Sequence, residues 1–303
     1  MKNTIFTILS IAATAVYAAG CAAVSKTVAS SDIYVVATDY VPADGRTDVA
    51  DLLQKMIDEN PRRTIMFPDG TYLLSHPLAT PADPMKAVHI KMGNFAILKA
   101  DAGAWKGGAV LRLGGKDPAN DIVTCGSNYG IEGGIIDGDG AADGISIESG
   151  RETRITGVSI KHTRIGIHIA FGANSGSSDS DIRDVNIVGN GAADATGVLV
   201  EGYDNTFTNM RIYAVATGVW CKTGGNSFKN IHPLYRMSDG RYPDSRAFVI
   251  EQNNNWFDYC YSDQFCKGFV LNNGVEVNLV NCFAFWYRAF DIYSKSYMNE
   301  NYE

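Results

Sequence analysis

One short pattern recurs through the second half of the chain: a small residue, an apolar one, a variable one and another apolar one. It stands at 144–147, 166–169, 197–200, 218–221, 247–250, 268–271 and 289–292. Successive copies start about 22, 31, 21, 29, 21 and 21 residues apart. A second apolar series interleaves with it at 155–158, 182–185, 207–210, 228–231, 257–260 and 279–282. Apolar residues two apart have strand spacing, and two strand series repeating together mark a solenoid whose coils stack. The longer steps place loops at 170–181, 188–196 and 232–246. The pattern therefore predicts an all-β solenoid of parallel strands.

Stacked coils lie about 4.8 Å apart, the spacing of hydrogen-bonded strands, and side chains alternate in and out. The first series then predicts two buried columns. One is Ile145, Ile167, Val198, Val219, Phe248, Phe269 and Phe290. The other is Ile147, Ile169, Val200, Cys221, Ile250, Leu271 and Ile292. In the second series Asn209, Asn230 and Asn281 share one position. Repeated Asn there predicts a turn ladder of amide hydrogen bonds.

Upstream the period changes. Val49, Leu52, Leu53, Met56 and Ile57 fall at helical spacing, with Thr47 or Asp48 to cap the helix and Asn60-Pro61 to stop it. Residues 65–67, the turn Pro68-Asp69-Gly70 and residues 72–74 read as strand, turn, strand. This block, from Asp39-Tyr40 through Asp44-Gly45-Arg46-Thr47-Asp48 to Phe67-Pro68-Asp69-Gly70-Thr71-Tyr72, resembles the opening of the pectate-lyase superfamily. The resemblance implies a single-stranded right-handed parallel β-helix whose first coil is plugged by a short helix. It implies carbohydrate polymers as partners. It does not fix the chemistry, because the same opening precedes lyases, hydrolases and phage depolymerases.

The N-terminus reads as a targeting segment. Lys2 precedes an apolar run of about a dozen residues at 5–16, the length of a signal-peptide core and too short to span a bilayer. Ala18-Ala19-Gly20-Cys21 resembles the lipobox of bacterial lipoproteins, which makes Cys21 the expected lipidation site. The expected organisation is a signal peptide at 1–20, a tether at 21–32 and the β-helix at 33–303. The protein would be exported, as an outer-membrane or periplasmic lipoprotein or in secreted form. The lipid anchor would be its contact with the membrane.

Composition adds exclusions. A net charge of -7 speaks against a general nucleic-acid binder. The 31 glycines against 9 prolines suit many tight turns. Cysteines 125, 221, 260, 266 and 282 contain no CxxC pair, so zinc is not expected, and they read as small buried hydrophobes. Asp137-Gly138-Asp139-Gly140 and the acidic run at 177–181 lack EF-hand spacing. The first resembles a structural turn of the superfamily. Calcium stays open as a cofactor, because some pectate lyases use it, but no metal ligands are assigned.

Candidate chemistry comes from the outward columns. The residue after each first-series strand gives Glu148, Ala170, Glu201, Lys222, Glu251, Asn272 and Tyr293. Lys222 would sit between Glu201 and Glu251. Two carboxylates roughly two coils apart suit the wider spacing of an inverting glycosidase. Lys222 could act as a base, although flanking glutamates favour its charged form. A cross-strand ion-pair ladder accounts for the same trio without chemistry. Ahead of the strands, Arg246, Lys267 and Arg288 would stack on successive coils. Acidic groups of a uronic or sulfated glycan would compensate them, as would Asp244, Asp263 and Asp291. In the second series Arg211, His232 and Tyr261 occupy adjacent coils, where they could form an acid/base site or a plain surface. Trp220, Trp256, Tyr259 and Tyr261 crowd the C-terminal half, where aromatic faces suit sugar rings.

Polygalacturonase-type hydrolases in the superfamily carry Asn-Thr-Asp, Gly-Asp-Asp and Gly-His-Gly motifs. Here only Asp143-Gly144-Ile145 echoes the first; Arg164-Ile165 and Ala195-Thr196 stand at the next positions. That mechanism is not supported. The last coil would also need a cap, from residues 294–303 or from a second copy of the chain.

The expectation is thus a carbohydrate-active enzyme, lyase or hydrolase, acting on an anionic polysaccharide. Glu201, Lys222 and Glu251, or Arg211 with His232, would move protons. Arg246, Lys267, Arg288, Trp220 and Tyr261 would bind substrate. The alternative is a lipid-anchored β-helix that binds glycan or serves structurally.

Overall fold

The computed structural model describes residues 34–116, 130–172, 175–235, 244–285 and 293–294. The chain divides into two units, 1–35 and 36–303. The expectations for the signal peptide, the tether and Cys21 lie outside the described residues, as do those for Cys125, Arg288, Phe290, Asp291, Ile292 and, beyond Ser294, the cap at 294–303.

The unit from Val36 is a parallel β-helix. Among the described residues each full coil gives one strand to a nine-stranded sheet, here sheet I. Its strands in spatial order include Asp143–Ile147, Ile165–Ile169, Thr196–Val200, Thr217–Cys221, Arg246–Ile250 and Lys267–Leu271. Most of the remainder of each coil forms sheet II, the larger sheet, as two short legs meeting at a kink, and Gly150–Arg151, Phe171–Gly172 and Ser175–Ser178 form a small third sheet. Registers run as the repeats predict: Ile145 faces Ile167, then Val198, Val219, Phe248 and Phe269. Both predicted columns are buried through residue 271. Phe248 stacks on Phe269 at 4.6 Å between ring centroids, and Phe207, Phe228 and Phe257 form a second stack.

The leading Gly of the repeat follows from close packing. A Cβ on Gly144, Gly166 or Gly197 would come within 2.4–2.6 Å of the carbonyl oxygen of the Gly on the next coil. At the kink of sheet II, Asp184, Asn209, Asn230, Tyr259 and Asn281 all adopt φ between 53° and 57°. This left-handed conformation costs most residues about 1–2 kcal/mol but is easier for Asn and Asp. Asn230 Nδ2 donates to Asn209 Oδ1 at 3.0 Å, and Asn209 donates to Asp184 Oδ1 at 2.6 Å. The predicted ladder therefore forms, but Tyr259 interrupts it and Asn281 turns to Asp258 instead.

A second ladder is buried and went unpredicted. The backbone N–H of Asn205 donates to Asn226 Oδ1, and that of Asn226 to Asn255 Oδ1, each at 3.0 Å. The side-chain amides of Asn226 and Asn255 donate to turn carbonyls of Gly224 and Thr223. These three residues close the turn from sheet I into sheet II and are fully buried.

Several expectations are corrected. Helix α1, Ala50–Glu59, buries Leu53, Met56 and Ile57, but Leu52 points outward and is 53% exposed. The N-cap residue is Val49, without a side-chain cap, rather than Thr47 or Asp48; Asp48 Oδ1 accepts from the N–H of Ala50, and Thr47 bonds Asp44. The segment 170–181 is no plain loop, for Phe171–Gly172 and Ser175–Ser178 pair antiparallel. Strand Asp181–Gly189 runs into the predicted loop at 188–196. Strand Ser227–Leu234 runs two residues past the predicted loop start, with Pro233 buried opposite Ile212. At the last coil Tyr293 pairs with Val270, two residues beyond the repeat-based register.

Asn226→Ala should strip acceptors from buried N–H groups and lower unfolding stability by about 1–3 kcal/mol for each group left bare. Asn230→Gly keeps the left-handed turn and should cost well under about 1 kcal/mol. Urea unfolding of the two variants checks this contrast.

Candidate functional site

The outward face of sheet I carries one contact three times. A donor on one coil reaches a glutamate two residues past its direct partner on the next coil. Arg112, opposite Ser146, donates to both oxygens of Glu148 at 2.7 and 2.6 Å. His168, opposite Leu199, meets Glu201 at 2.8 Å through Nε2. Trp220, opposite Val249, donates its indole N–H to Glu251 at 2.7 Å. The diagonal neighbour in a sheet is within reach of long side chains, and the fixed register repeats that geometry every second coil.

Lys222 lies directly across from Glu201 and pairs with its other oxygen at 2.8 Å. Glu201 is thus held from both sides, by His168 and by Lys222. Partial burial pushes its carboxyl up, but the hydrogen bonds from Lys222 and His168 outweigh it and hold the group below the usual carboxylate range. Glu148 is held low in the same way: burial opposes, and Arg112 and Ser146 prevail. The expected trio is therefore split. Glu201 and Lys222 form a pair, His168 joins them although it was not a candidate, and Glu251 binds Trp220. An ionised Glu201 is unfit to be the proton-donating carboxyl of a hydrolytic pair.

The cationic column is present where the structure describes it. Thr217, Arg246 and Lys267 align on successive coils. Arg246 donates to Thr217 Oγ1 at 3.3 Å, and its Nε is buried without a hydrogen-bond partner. Lys267 reaches the exposed Asp244 at 3.5 Å. Trp220 is flanked by two cations, with Lys222 Nζ 4.6 Å and the Arg246 guanidinium 5.9 Å from its ring centroid. Asp263, expected to balance this column, instead faces His232 on sheet II, 3.5 Å away.

The other expected set lies on sheet II. Arg211, His232, Tyr261 and Phe283 stack in register. The Tyr261 ring sits 4.0 Å from His232 and 4.8 Å from Phe283. Both of its faces are covered, so it cannot stack on a sugar. His232 Nε2 faces Asp263 across 3.5 Å, too far for a good hydrogen bond, and is buried without a partner. Burial and the Arg211 charge lower its pKa, and Asp263 only partly offsets them. His232 therefore stays neutral at neutral pH. The two expected proton-transfer sets stand on different sheets.

The acidic turns are occupied internally. Asp137 Oδ1 accepts from the Asp139 N–H and meets His162 at 2.9 Å, while Asp179 pairs with Arg151 at 2.6 Å. Among the described residues no three metal-ligating side chains converge. Cys221, Cys260 and Cys266 are buried, and Cys282 is half-buried.

No protein-family model matches the sequence, and no curated protein sequence matches it. Solved structures do resemble the fold. The A-module of Azotobacter vinelandii mannuronan C-5 epimerase AlgE6 aligns with a TM-score of 0.59 and 16% identity, over 82% of this chain and 75% of that one. An alginate lyase from Paenibacillus sp. aligns with a TM-score of 0.55 and 17% identity, over 81% and 96%. A Geobacillus virus E2 protein, ORF18, aligns with a TM-score of 0.51 and 13% identity over 86% of this chain, which spans only 62% of the viral one. The chain has the right-handed parallel β-helix fold. At these identities the likeness establishes the fold.

Glu201 has a lowered pKa in the folded state, so the stability it gives is present above the ordinary glutamate range and is lost as pH falls through and below that range. Glu201→Gln should lower the melting temperature at neutral pH and flatten its fall on acidification. Melting curves from neutral to acid pH check this, and an unchanged acid slope would show that the pairing contributes nothing.

Proposed function

We propose that this protein acts on an anionic polysaccharide lying across the coils on the outward face of sheet I. The observation that carries the reading is the His168–Glu201–Lys222 network beside Trp220 and the Arg246–Lys267 column. Arg246 and Lys267 meet acidic groups of the chain. His168, oriented through Nε2 by an ionised Glu201, keeps Nδ1 to take a proton. That arrangement suits proton abstraction, the opening step of a lyase, better than hydrolysis by Glu201 and Glu251. The similarity in fold to an alginate lyase and a mannuronan epimerase, both named for acidic polymers, supports a polysaccharide partner.

A second reading has its own observation. Arg112, Lys222 and Lys267 each already have a carboxylate partner, as Glu251 has the Trp220 indole. Such a self-neutralised face also suits a protein that holds glycan without cleaving it.

The test is activity of the purified chain on acidic and neutral polysaccharides, with and without calcium, following new reducing ends and the ultraviolet absorbance of unsaturated sugar ends. A lyase gives both signals on an acidic polymer. His168→Ala and Glu201→Gln should then lose at least about 100-fold in kcat. Arg246→Ala with Lys267→Ala should mainly raise KM. New ends without absorbance would establish a hydrolase, and binding without either signal would leave the glycan-holding reading.

A further inference from the structure

Sheet I hands each coil to sheet II through a short turn, and four neighbouring turns line an open cleft of about 720 Å³, the last of them at residues 273–275. Its lining includes Tyr203, Asp204, Glu251, Asn254 and Trp256 over a floor at Gly224 and Gly225. The floor exists because the second turn lacks side chains at Gly224 and Gly225. Asp204, Gly225 and Asn254 each precede a residue of the buried Asn ladder and share the left-handed conformation, at φ 58°, 79° and 61°. Only the central one is glycine. A Cβ on Gly225 would meet Asp204 Oδ1 at 2.0 Å, and one on Gly224 the Asn253 carbonyl oxygen at 2.7 Å. The ladder beneath locks the first three turns in register, so that part of the cleft is preformed.

Its walls are aromatic and polar. Trp256 is 47% exposed and Tyr203 38%. Tyr203 is braced edge-on by Phe171, with ring centroids 5.2 Å apart. Trp220 carries cations and Tyr261 is sandwiched, whereas the Trp256 ring projects outward from sheet II, where its neighbours in register are the small Ser227 and the exposed Asn278. The rest of the lining is amides, Gly274, Val275 and two carboxylates, Asp204 and Glu251, with no Lys, Arg or His. An open indole face beside fixed amide and carboxylate groups fits a pyranose ring, whose C–H face stacks while its hydroxyls bond. The carboxylates repel an acidic sugar.

We infer that this turn-side cleft binds a neutral sugar unit. The site adjoins the outward face of sheet I through Glu251, which accepts from Trp220 there, but it does not depend on that face being catalytic.

Isothermal titration of the full chain with neutral gluco-, manno-, galacto- and xylo-oligosaccharides tests the inference, with acidic oligogalacturonates as the contrast. At least one neutral oligomer should bind. Trp256→Ala should weaken it by about tenfold or more, the scale of losing one well-packed aromatic contact, and Tyr203→Ala should weaken it too. The double variant Arg246→Ala, Lys267→Ala should leave it unchanged. Trp256 is exposed, so an unaltered melting temperature confirms that the variant is folded. Failure of every neutral oligomer to bind, or binding that Trp256→Ala leaves intact, would overturn the assignment. Loss of acidic-oligomer binding alone would count only against the sheet I reading.

Discussion

The structure depends on coil stacking on coil in one register. Parallel hydrogen bonds set the spacing, but they would tolerate a slip, and a slip of one residue would turn every inward side chain outward. Close packing forbids it. The Gly column leaves no room beneath the next coil's carbonyl, and the buried Asn205–Asn226–Asn255 ladder ties each turn to the next by side-chain-to-backbone bonds. With register fixed, aromatic rings fall on aromatic rings, and the core becomes stacks of Phe.

The same constraint makes the surface chemical. A fixed register turns a sequence position into a column and a two-residue offset into a recurring diagonal contact. Arg112, His168 and Trp220 each find their glutamate this way. The outcome is electrostatic. Glu201 is clamped between His168 and Lys222 and kept ionised, which removes it as an acid and leaves it to orient an imidazole. The turn side differs because its columns are short and interrupted. One glycine pair among bulkier neighbours is enough to open a cleft there.

Much of this was legible in the sequence. The period of small-apolar-variable-apolar residues gave the strands of sheet I, their register and the buried columns, because strand packing reads directly as alternation. The amide ladder at Asn209 and Asn230 was legible because identical residues recur. The buried ladder was equally present, as Asn two residues ahead of Phe207, Phe228 and Phe257, but an Asn before a strand reads as an ordinary turn residue. His168 escaped because its partner lies diagonally, in a different column from its own. Leu52 was misplaced because helical spacing alone does not show which edge of an apolar stripe meets the sheet. Tyr261 looked like a sugar platform, and only stacking on both neighbours shows its faces to be covered.

The central claim is that an acidic glycan lies on the outward face of sheet I. Covalent footprinting of the Glu201→Gln variant with lysine- and histidine-selective reagents, with and without a bound acidic oligosaccharide, tests it most directly. The account predicts protection of His168, Lys222 and Lys267, with none at Lys229, which is exposed on sheet II. Protection at Lys229 with sheet I still reactive would contradict it.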